Sequence, residues 1–364
     1  MLTNVKCLDL SRILAGPLAT MILGDLGADV IKVERPGSGD DTRGWGPPFD
    51  ERGESAYYLS INRNKLSVAL DLDASDDVKA LLELVEGADV VVDNFRPGTL
   101  ERRGIDPDIL LERNPALIWC TITGFGEESD RAGYDLVVQA ESGWMSITGD
   151  PDGEPMKIGV ALADIIAGKD AAIAILAALA RQSRAGMPSE ERRIHVSLIA
   201  SATAALINVA QNTLVTGLEA KRWGNQHPNL VPYQLFRAAD RPMIIAVGND
   251  AQWLACATAL DLDDLSVDET LATNAGRLAS RDRVITAIAD KLRTEPAEHW
   301  IGKLDAAGVP CGVVKSVLEA VKEAGASPRT GIPPSVPGSI RLPPPVLDGS
   351  GAEIRRRGWK VFDV

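Results

Sequence analysis

The feature that most constrains the fold is an alternation in the first third of the chain. VKCLDL (5–10), DVIKVE (29–34), KLSVALDL (65–72), DVVVDNF (89–95) and ALIWCTITGF (116–125) are short, mostly apolar runs of strand length. Between them lie segments of helical spacing. AGPLATMILGDLGA (15–28) has Pro17 near its start and Gly27 near its end, the usual helix asymmetry. SDDVKALLELVEGA (75–88) is amphipathic, with Ser75 as its expected N-cap. PGSGDDTRGWGPP (36–48) reads as loop. Strands that are apolar along their length are buried on both faces. The pattern therefore predicts an α/β fold with a mainly parallel sheet covered by helices on both sides.

Beyond residue 133 the pattern turns helical, with a long helix expected over 165–184, ending near Gly186, and an Ala-rich one over 197–217. The texture changes at 222. GNQHPNLVPY is loop, MIIAVG (243–248) a strand, and helices are expected at 250–260, 281–293 and 295–307. GVPCGVV (308–314) is again a strand, followed by the helix SVLEAVKEA. A length of 364 residues accommodates two domains. The expected division is a large α/β domain over 1–220 and 308–364, and a smaller α+β domain over 221–307. The tail from Ser327 is rich in proline, and the run Arg355 to Arg357 reads as a solvated end.

Several function classes fall away. The first turn from strand to helix reads SRILAG (11–16), without GxGxxG, so the sheet is Rossmann-like but lacks the dinucleotide fingerprint. GxxxxGK[ST] and GxSxG are also missing. A net charge of −13 argues against nucleic-acid binding. His195, His227 and His299 do not cluster, and Cys7, Cys120, Cys256 and Cys311 are far apart, so no metal site and no disulfide is expected. No apolar run approaches the ~20 residues of a membrane span. The N-terminal residues lack the regions of a signal peptide, and a cytoplasmic protein without membrane contact is expected.

One residue stands out. Asp164 lies in a run that is otherwise apolar or small from Ile158 to Gly168. A carboxylate removed from water is costly unless it is paired or hydrogen-bonded. Asp164 before an apolar helical run fits an N-cap. Capping N–H groups and the helix dipole would favour its ionised form.

Eight stretches in order resemble the family III CoA-transferases, the group that includes formyl-CoA transferase, carnitine CoA-transferase and α-methylacyl-CoA racemase. They are AGPLATMILGDLGADVIKVERPGSGDDTR (15–43), NRNKLSVALDL (62–72), VDNFRPGTLERRG (92–104), ITGFG (122–126), GYDLVVQAESGWMSITG (133–149), GVALADIIAG (159–168), GNQHPNLVPYQLF (224–236) and AGVPCGVV (307–314). The resemblance implies CoA transfer between an acyl-CoA and a carboxylic acid, with Asp164 as nucleophile and CoA as substrate rather than a tightly bound cofactor. It implies that Leu14 and Ala15 lie against CoA, that Arg35 pairs with phosphate, and that Leu70, Asp71, Leu72 and Asp73 line the adenine side. Asp73 stands where a lysine can occur. Asn94, Phe95, Arg96 and Arg102 are implied to hold the diphosphate and pantetheine. Tyr134 would border the active site, with Asp135 as a hydrogen-bond acceptor supporting the loop. In the racemase branch the position of Tyr134 is a histidine, and a tyrosine of pKa ~10 is a poor base at neutral pH. A racemase using Asp164 with an unusual partner, and a CoA-binding protein without turnover, are the alternatives. AVGNDAQW (246–253) does not reproduce the glycine-rich loop of formyl-CoA transferase, which leaves the acid open. The resemblance also implies a homodimer of interlocked, ring-like chains, with the smaller domain closing over the acyl site.

Overall fold

In a computed structural model, which describes residues 1–181 and 186–363, six parallel strands form one sheet. They are β1 (Lys6–Asp9), β2 (Asp29–Glu34), β3 (Lys65–Ala69), β4 (Val90–Asp93), β5 (Ile118–Thr123) and β6 (Arg193–Ser197), in the spatial order β3-β2-β1-β4-β5-β6. Every adjacent pair is parallel. Two apolar layers cover the sheet. One gathers Cys7, Val30, Val90, Val92 and Cys120 under the helices Ala15–Asp25 and Leu162–Leu179. The other gathers Leu8, Ile31, Val91 and Trp119 under the helices Ser75–Glu86 and Pro107–Arg113. Successive residues of one strand thus feed opposite layers, which is why these strands read as continuous apolar runs.

β6 was not expected from the sequence. Its residues RIHVS carry Arg193 and His195, and it lies at the sheet edge beside β5. The helix expected over 197–217 is divided into Leu198–Ala204 and Ile207–Thr216, and Ile207, which opens the second, has φ +40°. The last residues of the helix expected over 165–184 fall partly outside the described residues. Ser75 is the first helical residue rather than the N-cap, which is Ala74, and it makes no capping bond.

The C-terminal segment is not a solvated end. The helix Gly351–Arg357 buries Ile354, and Trp359 behind it is 8% exposed in the second apolar layer. Arg355 donates to the carbonyl of Ala69, and Asp348 Oδ1 accepts the Ala69 N–H at 2.8 Å.

Contacts divide the chain into two compact units, one of residues 1–146, 157–220 and 321–364, the other of 147–156 and 221–320. The second unit holds a three-stranded antiparallel sheet, β7 (Tyr233–Arg237), β8 (Pro242–Ala246) and β9 (Cys311–Val313). β9 pairs with β8, so the segment from 308 to 320 belongs to this unit and not, as expected, to the large one. Its core is built from Phe236, Met243, Trp253, Val284, Ile288 and Trp300. Among the described residues, no single helix is long and apolar enough to cross a membrane.

Candidate active site

The strand order reverses between β1 and β4, so the loops leaving their C-terminal ends diverge there. In open α/β sheets such a crevice is where ligands bind. Here the two loops are cross-linked by one side chain. Asn94 Oδ1 accepts the Arg12 N–H at 2.9 Å, and its Nδ2 donates to the Arg12 carbonyl at 2.7 Å.

The loop after β1 is held by buried charge. Asp9, Lys32 and Lys65 are each fully buried. Lys65 Nζ lies 2.9 Å from Asp9 Oδ2, and Lys32 Nζ lies 3.0 Å from Asp40 Oδ2. Lys32 also donates to the Ser11 carbonyl at 2.8 Å. Burial disfavours the charged forms, but the two lysines hold the Asp9 carboxyl far below the usual range. Burial brings Lys65 down to about 8, against the pull of Asp9. Buried pairs of this kind are weak sources of stability. Their effect here is on shape, because Ile13 follows with φ +72°. A β-branched residue in that region costs about 1–3 kcal/mol unless its surroundings impose it.

Asp164 is brought to the same crevice by helix packing. The helix Leu162–Leu179 lies against Ala15–Asp25 through small residues, Ala163, Ala167, Gly168 and Ala171. A Cβ on Gly168 would come 2.6 Å from the Ala15 carbonyl oxygen. This close approach sets the first turn of one helix beside Leu14 and Ala15 at the start of the other.

Asp164 is not the N-cap. That position is Ala161, and Asp164 is the third helical residue, half-buried. The acceptor at this helix end is Asp135, whose Oδ1 takes the Ala163 N–H at 2.8 Å. Gln139, fully buried, donates to Asp135 Oδ2 at 2.6 Å and accepts the Ile158 N–H at 2.8 Å. Burial, and then the negative charge of Asp135, push the Asp164 carboxyl up to about 7. Tyr57 lies close enough to feel both carboxylates. Burial first, then Asp164 and Asp135, raise its phenol to about 12, and Trp45 meets its ring edge-on at 5.1 Å.

Two cavities border the crevice. The first, about 230 Å³, is lined by Leu14, Ala15, Asn94, Phe95, Arg96, Tyr134 and Asp164 among others. The second, about 310 Å³, is lined by Arg35, Phe95 and the whole stretch from Leu70 to Asp73. Asp135 stands behind Asp164. Like Asp135, Arg102 lines neither cavity; it is exposed and turned toward Thr99 Oγ1 at 3.3 Å. Its neighbour Arg103 lines the second cavity and pairs with Asp73 at 2.8 Å. Arg43 is internal, bonded to Glu34 at 2.8 and 2.7 Å and to Glu54 at 2.6 Å.

Sequence reasoning missed Arg12, Ile13 and Arg131, all lining the first cavity, and the Tyr57–Trp45 pair. Arg12 lies three residues before the matched stretch 15–43, and nothing in its local pattern distinguishes it. Trp45 in RGWGPP, an aromatic residue in a glycine-rich loop, was the one visible signal.

The profile of CoA-transferase family III matches residues 2–333. The succinyl-CoA:glutarate CoA-transferase of Homo sapiens is 42% identical over 325 residues, 88% of this chain and 73% of that protein. The acetyl-CoA:oxalate CoA-transferase of Acetobacter aceti is 38% identical over 317 residues, 86% of this chain and 80% of that protein. The crystal structure of a CaiB/BaiF family protein from Brucella suis superposes with a TM-score of 0.85 at 38% identity, covering 98% of each chain. The chain belongs to CoA-transferase family III and is an enzyme that moves CoA between an acyl-CoA thioester and a carboxylic acid.

Proposed function

We propose that Asp164 is the nucleophile and carries CoA as a covalent thioester between two half-reactions. The observation that supports this most is the setting of its carboxyl group. It lines a cavity at the sheet's switch point, the helix end it sits on is capped by another residue, and its pKa is raised toward neutrality. A carboxylate of raised basicity is a stronger nucleophile than an ordinary solvated one.

The steps balance without a metal or resident cofactor. A carboxylate oxygen of Asp164 attacks the thioester carbonyl, and the C–S bond breaks to release CoA thiolate. The thiolate attacks the side-chain carbonyl of the resulting anhydride. The donor acid leaves as its carboxylate, with CoA now joined to Asp164. The acceptor carboxylate attacks this thioester and expels the thiolate. The thiolate then attacks the acyl carbonyl of the second anhydride, giving the new acyl-CoA and the free Asp164 carboxylate. Ala15, at the start of the neighbouring helix, and Tyr134 flank the reacting group. The tyrosine at 134, where a racemase would need a base, favours transfer over proton abstraction.

The acids are proposed to be small dicarboxylic acids, because the named relatives act on glutarate with succinyl-CoA and on oxalate. The protein is also proposed to be a homodimer. Ile207, Leu214, Val215 and Leu218 are each 69–77% exposed, a dense apolar surface for a lone chain.

The test of the mechanism is a trap. Wild-type protein is incubated with succinyl-CoA alone, and neutral hydroxylamine is added. A hydroxamate at residue 164 in a peptide map is the expected result. Turnover without any adduct at that residue rules the mechanism out.

A further inference from the structure

A third cavity, about 340 Å³, lies beside β4, β5 and β6, and neither Asp164, Leu14 nor Ala15 is among its walls. We propose that it is a regulatory site for a small dianion, phosphate or a short dicarboxylate, held by Arg193, His195 and Arg96.

The strand register assembles the site. Asp93, Thr121 and His195 are paired in line across β4, β5 and β6. Their side chains therefore share one face of the sheet, and Arg193, two positions before His195, shares it too. Arg193 Nη1 donates to Thr121 Oγ1 at 2.7 Å, and that hydroxyl donates to Asp93 Oδ2 at 2.6 Å. His195 Nδ1 lies 2.7 Å from Glu127 Oε1.

The negative charge of this cavity is either committed or outside. Asp93 is fully buried, and its oxygens accept from the Phe95 N–H, Trp119 Nε1 and Thr121 Oγ1. Glu127 is engaged with His195. Glu101 is exposed, and Asp108, with its side chain 83% accessible, comes only to 3.6 Å from Arg193 Nε. Solvent screens both. The Arg193 side chain, in contrast, is 18% accessible and, among the described residues, makes a single hydrogen bond from its fork of donors. Arg96 lines this cavity and the first, is exposed, and pairs with no carboxylate among the described residues. A sheltered guanidinium with little to neutralise it, and a second one within reach of the same space, suit an anion with paired oxygens and two charges.

His195 adds a donor that depends on pH. A neutral imidazole has one N–H, and with Nδ1 placed at Glu127 a donor at Nε2 arises only on protonation. Burial, and then the charge of Arg193, lower the His195 pKa against the opposing pull of Glu127 and Asp108. Asp93, Glu101 and Arg96 are the other ionisable groups facing the cavity. A dianion beside Arg193 offsets its charge, so binding takes up a proton at His195 and tightens as the pH falls.

The cavity communicates with the active site. Phe95, Arg96, Pro97 and Thr123 line both it and the cavity of Asp164. A dianion that draws Arg96 toward Arg193 removes it from the place where it is expected to hold CoA. The effect on the reaction rests on that expectation, whereas the anion site does not.

Calorimetry on the whole protein, titrated with inorganic phosphate and separately with succinate, reads the site, and the tighter of the two identifies the source. Arg193→Gln is expected to weaken that binding by about ten- to hundredfold. No binding of either anion, or binding that Arg193→Gln leaves unchanged, overturns the site. The wild type gives a second reading. Only three histidines are present in the chain, so the His195 imidazole can be followed by NMR and assigned with His195→Gln. Sulfate, a dianion at every pH used, is expected to move its titration upward. An unmoved titration overturns the place given to His195. The KM for succinyl-CoA is expected to rise severalfold with the anion that binds, and to lose this response in Arg193→Gln. A response that survives Arg193→Gln comes from the CoA site itself and overturns the coupling, as does no response in a protein that binds the anion.

Discussion

Asp135 Oδ1 accepts the Ala163 N–H at 2.8 Å, one residue before Asp164. The two carboxylates have separate tasks. Asp135 satisfies the helix end and is tied to Gln139. Among the described residues Asp164 has no hydrogen-bond partner to relieve its burial, and the neighbouring charge raises its proton affinity further. The helix dipole favours its ionised form, which keeps the nucleophile available near neutral pH.

The activity should therefore titrate with Asp164. kcat/KM is expected to rise with pH through about 7, as the carboxylate loses its proton. Asp135→Asn removes the like charge but not the burial. Its acidic limb should move to lower pH while staying above the ordinary carboxylate range. The rate at the plateau should also fall, because an amide at 135 cannot accept from both Ala163 and Gln139 through two oxygens. pH–rate profiles of both proteins on one donor and one acid check this. An unmoved limb means that Asp135 does not act on the nucleophile.

Asp164 should also cost stability where it is ionised. Its folded pKa lies above its unfolded value. The native state thus holds a proton that the unfolded chain has already released. The contribution is favourable below the unfolded pKa and is lost as pH rises through the folded one. Asp164→Asn has no charge to bury. It is expected to melt higher than wild type at about pH 8, with a gain that shrinks toward about pH 4. Thermal unfolding at both pH values reads the difference. A gain that does not depend on pH would point to packing instead.

Five strands of the large sheet were legible because each buries both faces and so appears as an unbroken apolar run. β6 was not, because an edge strand that carries Arg193 and His195 lacks that run. The C-terminal helix was hidden for a similar reason. Three arginines dominate its composition, while Ile354 and Trp359 supply its buried side. Asp164 was conspicuous as a charge in an apolar stretch. That Asp135 caps its helix was not visible, because the two lie 29 positions apart and only the fold brings them together. Arg12 illustrates the same limit. Its importance comes from Asn94, which is distant in sequence.

The arginines around CoA should not be equivalent. Arg35 lines the second cavity, whereas Arg102 faces Thr99 outside both. Arg35→Ala is expected to raise KM for the acyl-CoA by about tenfold or more with a smaller change in kcat, the pattern of lost uniform binding. Arg102→Ala should have the weaker effect. Steady-state kinetics at fixed acid concentration decide it. An Arg102 effect equal to that of Arg35 would show that Arg102 turns inward when CoA binds.

The C-terminal segment should couple stability to CoA binding. Trp359 Nε1 donates to the Leu84 carbonyl at 2.8 Å, and its ring occupies the space left by Gly87, where a Cβ would come within 2.8 Å of it. Trp359→Ala removes both the packing and the hydrogen bond, and a loss of about 3–5 kcal/mol is expected. Denaturant unfolding of the large unit measures it. The second effect runs through Ala69. Its N–H and carbonyl are held by Asp348 and Arg355, directly before Leu70, which opens the stretch lining the second cavity. Arg355→Ala leaves Ile354 and Trp359 in place, so its cost in stability should be small. It should nevertheless weaken CoA binding, because the Ala69 carbonyl loses its partner and the stretch from Leu70 to Asp73 loses its anchor. Calorimetry on Arg355→Ala separates the two effects. Unchanged CoA affinity would confine the C-terminal segment to a purely structural part.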